Sequence, residues 1–314
     1  MKFTIIGHIC KDFIHPKKNG KTENVEPLWG GIYFAILTLA HLTASDDTII
    51  PVFSVGEKDY DELIEILKKY PNVETSGIYK MKEETNSVHL SYSTTQTRIE
   101  CSANIAPPIP FKKIQPFLKT DAFLVNMISG FDITLETLDY IRMETRDRDI
   151  VSHIDFHSLT LGVNDDFTRF RTPLMEWRRW AFMINSVQMN QTEAKSLTLE
   201  RFDEDTLAKQ LLSLDVQRLI ITKGGKGITL YSIDEHKNIS NRDFAPKEKL
   251  KTIDATGCGD VFSAAFLYYF TKTKNAFSAS ENAITIAGAN SQYLGSSEIE
   301  KLSEYRVKIE EGIV

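Results

Sequence analysis

Cysteine is scarce in this sequence, which has 314 residues but only Cys10, Cys101 and Cys258. No CxxC pair or zinc-ligand spacing connects them, and an odd number of cysteines is typical of reduced thiols inside a cell. The apolar run at residues 1–7 is too short for the core of a signal peptide. We therefore expect no structural disulfide and a cytoplasmic location.

The sequence also lacks an excess of positive charge and long apolar runs. Lysine and arginine number 37 against 43 acidic residues, which gives a formal net charge of −6. Nucleic-acid surfaces are built from clustered basic residues, and no run approaches the length of a membrane span. We therefore expect neither nucleic acid nor membrane as a partner. A composition of 42% hydrophobic and 25% charged residues predicts a globular protein with a small-molecule partner.

No proline-rich or serine-rich linker and no internal repeat divides the chain, so we expect one domain over residues 1–314. Short apolar runs alternate with helical patterns, which predicts an α/β fold whose mainly parallel sheet has helices on both faces. The predicted strands cover residues 3–6, 48–55, 122–127, 150–156, 181–185 and 218–222, and the predicted helices cover 32–42, 60–70, 135–145, 192–197, 206–214 and 261–270. Residues 87–93 and 97–100 alternate polar and apolar side chains around a polar turn, which predicts an antiparallel hairpin outside that sheet.

The most informative segment is the run Asp254-Ala255-Thr256-Gly257-Cys258-Gly259-Asp260, which is followed directly by the apolar residues 261–270. Two glycines allow backbone amides to turn toward an anion, and the N-terminus of the following helix favours negative charge. Asp260 lies in the first helical turn, where its carboxylate can accept a hydroxyl proton. The alternative interpretation is an ordinary loop in which Asp260 only begins a core helix.

This run resembles the C-terminal signature of the PfkB, or ribokinase-like, carbohydrate kinases. The Gly-x-Gly-Asp core is present, whereas Ala255 and Cys258 depart from the usual residues. The resemblance implies a three-layer α/β/α sandwich with a small β lid, here about residues 9–28 and 76–105. It implies that Asp260 is the general base and that the amides of Gly257, Cys258 and Gly259 stabilise the transferred group. It also implies a possible monovalent-cation site, such as one for K⁺, at Asp254.

The acceptor landmarks of the same family match near the N-terminus. An acidic residue after the first strand corresponds to Asp12, and a Gly-Gly turn before the first helix corresponds to Gly30 and Gly31. The resemblance implies that these three residues bind the hydroxyls of the acceptor. Their position at strand ends and helix starts agrees with where ligands bind in α/β folds. The alternative interpretation is a loop carboxylate and a tight turn with no ligand.

The donor landmarks of the family follow later in the chain. Asn190-Gln191-Thr192-Glu193 matches the Asn-x-x-Glu motif, in which the carboxylate helps to organise Mg²⁺ through water. Asn190 could equally cap the next helix, with Glu193 as a favourable first-turn charge. Thr222, Gly224 and Gly227 match the Thr-x-Gly-x-x-Gly turn that contacts the nucleotide.

These landmarks occur in family order, so the resemblance covers nearly the whole chain. It implies transfer of a phosphoryl group from ATP, with Mg²⁺, to a hydroxyl of a small sugar, polyol or nucleoside, and a possible homodimer through the lid. Two alternatives stay open. One is a non-catalytic regulator of the same fold that binds a sugar or nucleotide. The other is a metal-dependent hydrolase that uses His153, Asp155 and His157, which alternate along a predicted strand.

Overall fold

The structure is a computed structural model that describes residues 1–15, 25–92, 98–248 and 250–313. Its strands are β1 (Lys2–Gly7), β2 (Ile9–Ile14), β3 (Leu28–Gly31), β4 (Thr48–Gly56), β5 (Ile78–Met81), β6 (Asn86–Tyr92), β7 (Arg98–Ala103), β8 (Ala122–Asn126), β9 (Val151–Asp155), β10 (Leu161–Val163), β11 (Arg169–Arg171), β12 (Ser186–Asn190), β13 (Arg218–Thr222), β14 (Ile228–Ile233) and β15 (Ile239–Phe244). Within these residues, nine of the strands form the central sheet, in the order β15-β14-β13-β12-β9-β8-β1-β4-β5.

The central sheet is parallel from β5 through β13, and β14 and β15 continue it as antiparallel edge strands. Its central strands are apolar and fully buried, as expected when helices cover both faces of a parallel sheet. Their register aligns the carboxyl ends: Gly7 pairs with Asn126, which pairs with Asp155. Chain segments that leave these ends therefore meet along one edge of the sheet, where ligands bind in open α/β folds.

Eight of the ten helices of the described residues fall into two groups. The ten helices are α1 (Ile32–Leu42), α2 (Glu57–Leu67), α3 (Phe111–Ile114), α4 (Leu135–Thr145), α5 (Trp177–Phe182), α6 (Gln191–Ser196), α7 (Glu204–Leu212), α8 (Cys258–Thr273), α9 (Ala276–Asn290) and α10 (Leu302–Glu310). Helices α1, α8, α9 and α10 pack together, and α4 to α7 form the second group. The crossover through α1 runs along the sheet in one direction and those through α4 to α7 in the other, so right-handed connections place the groups on opposite faces. No helix of the described ranges is long and apolar enough to cross a membrane.

A second sheet, with strand order β3-β2-β6-β7, lies over the carboxyl edge and is called the lid. Strands β6 and β7 form the antiparallel hairpin that the alternation of residues 87–100 predicts. Strand β2 runs beside β6 in parallel and beside β3 in antiparallel. The predicted lid segments 9–28 and 76–105 contain β2, β6 and β7, whereas β3 overlaps the first segment only at Leu28. Residues 16–24 and 93–97 of these segments lie outside the described residues.

One predicted strand is wrong. Residues 177–182, which include the start of the predicted strand at 181–185, form helix α5, and the strand follows at Ser186–Asn190. Trp177, Trp180 and Ala181 form the buried face of that helix. The true strand contains Ser186 and Gln188, both buried by the sheet. The pattern of apolar residues therefore predicts the strand too early, because the end of the helix is apolar whereas the strand has polar residues in its centre.

Candidate active site

The loop before α8 has the geometry that the glycine pattern predicts. Gly257 adopts a left-handed backbone with φ 75°, and α8 begins at Cys258 with Asp260 in its first turn. The side chain of Asn126, at the end of β8, donates from Nδ2 to Asp260 Oδ1 at 2.9 Å. Every residue of α8 from 261 to 271 is buried. The carboxylate of Asp260 is therefore held between the sheet edge and a helix that cannot shift without disturbing the core.

A cavity of about 770 Å³ runs along the carboxyl edge between the lid, this loop and α9. All of the site residues predicted from the sequence line it, except Gly30, Glu193 and Asp254. The lining members of that set are Asp12, Gly31, Asn190, Thr222, Gly224, Gly227, Gly257, Cys258, Gly259 and Asp260. The fold thus brings segments from the start, middle and end of the chain to one cavity.

The lid closes one end of the cavity, where Asp12 lies buried on β2. A Cβ at Gly30 would lie closer than 3.0 Å to the carboxyl group of Asp12, so the missing side chain makes room for that carboxylate. Cys10, Val88, Leu90 and Glu100 also line this end. The sequence motifs assign no role to these four residues. The alternation of residues 87–100 could have indicated two of them, because alternate residues of a strand, such as Val88 and Leu90, share one face.

The centre of the cavity contains Asp155, at the end of β9. Gln188 Nε2 donates to Asp155 Oδ2 at 2.9 Å and to the carbonyl of Gly259 at 3.0 Å, and so joins β9 to the α8 loop. Burial and the charge of Glu193 raise the pKa of Asp155 well above its ordinary range. His157 donates its backbone N–H to Asp155 Oδ1 at 3.1 Å. An electrostatically strained carboxyl group therefore faces the same space as Asp260.

Glu193 lies behind this centre, with a side chain only 2% exposed. Its Oε2 accepts from the backbone N–H of Asn190 at 2.7 Å, and Asn190 Oδ1 accepts from the N–H of Glu193 at 2.9 Å, which together form a capping box. His157 Nδ1 lies 3.2 Å from Glu193 Oε1. Burial opposes the imidazolium form, but the hydrogen bond and charge of Glu193 raise the pKa of His157 to about 9. Both interpretations of the Asn-x-x-Glu motif, cap and support for the site, are compatible with this arrangement.

The three residues of the hydrolase alternative do not form a metal centre. His153 is fully buried, its Nδ1 lies 2.9 Å from Ser186 Oγ, and its ring packs against Phe266 of α8. Burial lowers the pKa of His153 to about 3. Asp155 ends the strand, and His157 belongs to the 3₁₀ turn after it. Among the described residues, no group of three or more histidines, cysteines and carboxylates is arranged to hold a metal ion.

Asp254 connects the α8 loop to the segment after α9. Its Oδ1 accepts from the backbone N–H of Thr256 at 3.1 Å, and its Oδ2 accepts from the N–H of Gly295 at 2.9 Å. Next to it, Ser296 Oγ donates to the carbonyl of Trp29 at 2.6 Å, beside the Gly-Gly turn. The C-terminal segment therefore fixes both the α8 loop and the base of the lid.

The other end of the cavity is formed by the turn after β13 and by α9. Gly227 has φ 93°, and a Cβ there would lie closer than 3.0 Å to the carbonyl of Phe244, so the turn requires glycine. The walls beyond it include the apolar residues Ile228, Pro246, Leu250, Ile284 and Ala287, together with polar residues such as Lys247, Glu248 and Thr252. The apolar residues of this set, called the apolar slot, can pack against the ring of a ligand. The apolar periodicity of α9 does not distinguish these wall residues from ordinary core positions.

Residues 51–301 match the pfkB family carbohydrate kinase sequence family. The chain belongs to this family. The match covers most of the chain and includes the Asn190–Glu193 motif, the turn after β13 and the α8 loop. A ribokinase of Lactococcus lactis is 27% identical over 129 residues, which are 41% of this chain and 39% of that relative. The aligned part thus spans less than half of the relative's length.

Solved structures of ribokinase-like proteins share the fold over nearly the full chain. Ribokinase from Thermotoga maritima superposes with a TM-score of 0.73 at 20% identity and covers 98% of this chain and 99% of its own. A pyrophosphate-dependent kinase in the ribokinase family, complexed with a pyrophosphate analog and myo-inositol, gives 0.75 at 18% identity and covers 96% and 99%. The chain therefore has the ribokinase-like α/β sandwich predicted from its motifs.

Proposed function

We propose that this protein transfers the γ-phosphoryl group of ATP to a hydroxyl of a small sugar, polyol or nucleoside. The observation that carries the proposal is the position of Asp260, in the first turn of α8 and within the cavity that Asp12 also lines. Asp260 accepts the proton of the acceptor hydroxyl, whose oxygen attacks the γ-phosphorus. The bond between that phosphorus and the β–γ bridging oxygen then breaks, and ADP leaves.

Different parts of the cavity bind the acceptor and stabilise the transferred group. Asp12 and the Gly30-Gly31 turn orient the acceptor at the lid end. The amides of Gly257, Cys258 and Gly259 stabilise charge on the transferred group, although the N–H of Cys258 also lies 3.3 Å from the carbonyl of Ala255. Positioning and electrostatics supply most of the rate enhancement in phosphoryl transfer. Rigid anchoring of α8 is therefore part of the proposed chemistry.

Nucleotide binding is proposed for the opposite end, at Asn190, Thr222, Gly224 and Gly227. The apolar slot beyond this turn supports a donor that carries a base, because pyrophosphate alone offers nothing to fill it. Since a similar structure belongs to a pyrophosphate-dependent kinase, both donors belong in the test.

The residues at the centre fit a magnesium ion. Asp155 faces the cavity with its pKa raised by burial and by Glu193, and a nearby cation would relieve that strain. The amide nitrogens of Gln188 and Asn126 donate to Asp155 and Asp260 at 2.9 Å each and hold these carboxylates in place. Carboxylate oxygens suit magnesium, which would supply charge neutralisation for the donor phosphates. Asp155 would hold the ion, with Glu193 acting indirectly from behind.

Three further properties stay predictions. Both carboxylate oxygens of Asp254 accept backbone hydrogen bonds, so the proposed K⁺ site would have to share them. Dimerisation through the lid and a cytoplasmic location follow from the resemblance and from the cysteine content, respectively. Each can be tested directly, by potassium titration of turnover, by sedimentation and by cell fractionation.

The deciding experiment measures ADP release from ATP and phosphate release from pyrophosphate, with Mg²⁺ and a panel of sugars, polyols and nucleosides. Asp260→Asn should lower acceptor-dependent turnover by about 10²- to 10⁴-fold, as expected for loss of a general base. ADP affinity should be retained. Asp147→Asn is the matched control, because that carboxylate is 87% exposed. Near-normal turnover by Asp260→Asn would contradict the mechanism.

The departures at Ala255 and Cys258 motivate the second candidate, a non-catalytic sugar or nucleotide sensor of the same fold. Such a protein would bind ligands in thermal-shift measurements but would show no turnover with either donor. Acceptor-dependent ADP release that is lost in Asp260→Asn would exclude it.

A further inference from the structure

Strands β10 and β11 form a short hairpin that extends the lid. They pair in antiparallel register, with Leu161 opposite Arg171. The turn between them reaches β7, where Cys101 forms an antiparallel bridge with Thr168 and Ser102 donates its N–H to the carbonyl of Phe167 at 2.9 Å. The hairpin therefore covers the edge of β7 that would otherwise lack a neighbour on that side.

Phe167 ends the turn between β10 and β11, where its N–H donates to the carbonyl of Asn164 at 2.9 Å and the N–H of Asn164 donates to the carbonyl of Thr168 at 2.9 Å. Its φ of 66° is the left-handed conformation that such a three-residue turn uses at its last position, and the residue is 54% exposed. The side chain of Phe167 is thus not held by burial. The backbone carbonyl of Phe167 accepts the hydrogen bond from the N–H of Ser102. The turn conformation thus points the Phe167 carbonyl at β7, and this hydrogen bond attaches the hairpin to the lid.

The register at this bridge places Glu100 opposite Arg169. Because Cys101 pairs with Thr168 in antiparallel fashion, the preceding residue of β7 faces the following residue of the hairpin. Opposite charges at such cross-strand positions attract. Burial lowers the pKa of Arg169, and the charges of Glu100 and Asp132 oppose that shift. Glu100 lines the lid end of the cavity, so Arg169 acts on a residue of the acceptor site.

The guanidinium of Arg169 also forms a hydrogen bond with the loop after β8. Its Nη2 donates to the carbonyl of Ser129 at 2.8 Å, while its Nε and Nη1 are buried without a hydrogen-bond partner among the described residues. Asp132 fixes the same loop by accepting from the N–H groups of His8 at 2.6 Å and Ser129 at 2.9 Å. The neighbouring Ile128 lines the cavity. One arginine therefore binds the loop after β8 and lies across the strand pair from Glu100 on β7.

We propose that Arg169 is a positioning residue that holds the lid strand β7 and the loop after β8 in place around the acceptor. The part of this proposal that concerns the acceptor rests on the proposed kinase function. Arg169 does not line the cavity and takes no part in phosphoryl transfer. It acts through Glu100 and the loop, so its loss should weaken acceptor binding and leave the nucleotide end unchanged.

The test compares Arg169→Met with Arg171→Met. Arg171 lies on the same face of the same strand, but its Nη1 bonds Thr160 Oγ1 at 2.7 Å and its Nη2 lies 3.6 Å from Glu193 Oε1. Arg171 is the more exposed of the two, so Arg171→Met controls for the loss of a cation and of a hydrogen bond from the same strand. Arg169→Lys keeps the positive charge but lacks the planar guanidinium group, and it replaces Arg169→Met in the test if the methionine variant folds poorly. Acceptor KM, ADP affinity and amide hydrogen exchange are measured for each.

For Arg169→Met we expect acceptor KM to rise about tenfold or more, the effect of losing one charge-assisted hydrogen bond. ADP affinity should stay within about twofold, which is less than 0.6 kcal/mol. The amides of Ser102, Ser129 and Gly130 should exchange faster, while those of β13 stay protected. Arg169→Lys should show a smaller change of the same kind, and Arg171→Met should leave acceptor KM and these amides unchanged.

An equal rise in acceptor KM for the two methionine variants would overturn the proposal, as would unchanged exchange at Ser102 and Ser129 in Arg169→Met. A wild-type protein without turnover for any donor and acceptor would instead refute the kinase function. In that case the exchange measurement alone would still decide whether Arg169 holds the lid.

Discussion

Replacement of Gly257 by alanine tests whether the α8 loop works as a rigid anion cradle. A Cβ at this position would lie closer than 3.0 Å to three ring atoms of Phe34. Phe34 is 1% exposed on α1 and belongs to the core, so a movement of its ring would disturb that packing. The left-handed backbone at Gly257 adds a further penalty for any side chain. Either the loop or the core must therefore move.

The magnitude follows from these two contacts. The left-handed conformation costs about 1 to 2 kcal/mol for a residue with a Cβ, and overpacking of a core costs about 1 to 3 kcal/mol. We expect Gly257→Ala to lower the free energy of unfolding by about 2 to 5 kcal/mol. A shift of about 1 Å in the amides that face the transferred group should lower kcat by about 10²-fold. Urea denaturation and steady-state ADP release measure the two effects.

A control variant and a second-site substitution test whether the contact with Phe34 causes the effect. A Cβ at Gly225 would meet no atom within 4 Å, so Gly225→Ala should leave stability nearly unchanged. Phe34→Leu removes the ring, so combined with Gly257→Ala it should cost less than the sum of the single changes. Wild-type stability and kcat in Gly257→Ala, or strict additivity with Phe34→Leu, would refute the reasoning.

Two further predictions concern the acceptor site and the core. Gly30→Ala should displace the carboxyl group of Asp12, because its Cβ would lie within 3.0 Å of it, and should raise acceptor KM by about tenfold without changing ADP affinity; an unchanged KM would remove Asp12 from acceptor binding. The buried His153 has its pKa lowered to about 3, so as pH falls below about 6.5 the unfolded chain takes up a proton that the folded chain does not. Stability present above that pH should therefore be lost at about 1.4 kcal/mol per pH unit, and His153→Leu, followed by urea denaturation from pH 7 to 4, should lack this part of the slope. Equal slopes in both proteins would show that His153 titrates normally.

The sequence predicted those parts of the site in which backbone and chemistry share a short segment. The α8 loop is an example, because its glycines, its acidic residue and the following apolar helix are contiguous. Asp12 and the Gly30-Gly31 turn lie in separate segments and were predicted from their resemblance to the acceptor landmarks of the family. The lid hairpin was predicted because strict alternation has one physical meaning on a strand.

The parts that escaped prediction depend on contacts between distant segments. Gln188 reaches the carbonyl of Gly259, 71 positions away, and nothing in the local pattern around either residue indicates that bond. The hairpin at 161–171 has short strands with exposed or half-buried side chains, so it lacks an apolar signal. The strand at 186–190 was predicted too early in the sequence for a related reason. Ser186 and Gln188 are polar, so their burial in a strand is not evident from the sequence pattern.

The link between Ser296 and Trp29 joins positions 267 residues apart, and Gly295 holds Asp254 beside it. A ribosome synthesises Trp29, at the base of the lid, 267 residues before it reaches Ser296, at about 5 to 20 residues per second. The ligand cavity therefore cannot be completed on a nascent chain until the segment after α9 has emerged. Substrate cannot stabilise the partly made protein, and a chain truncated before residue 296 should accumulate as a client of chaperones rather than as a weaker enzyme.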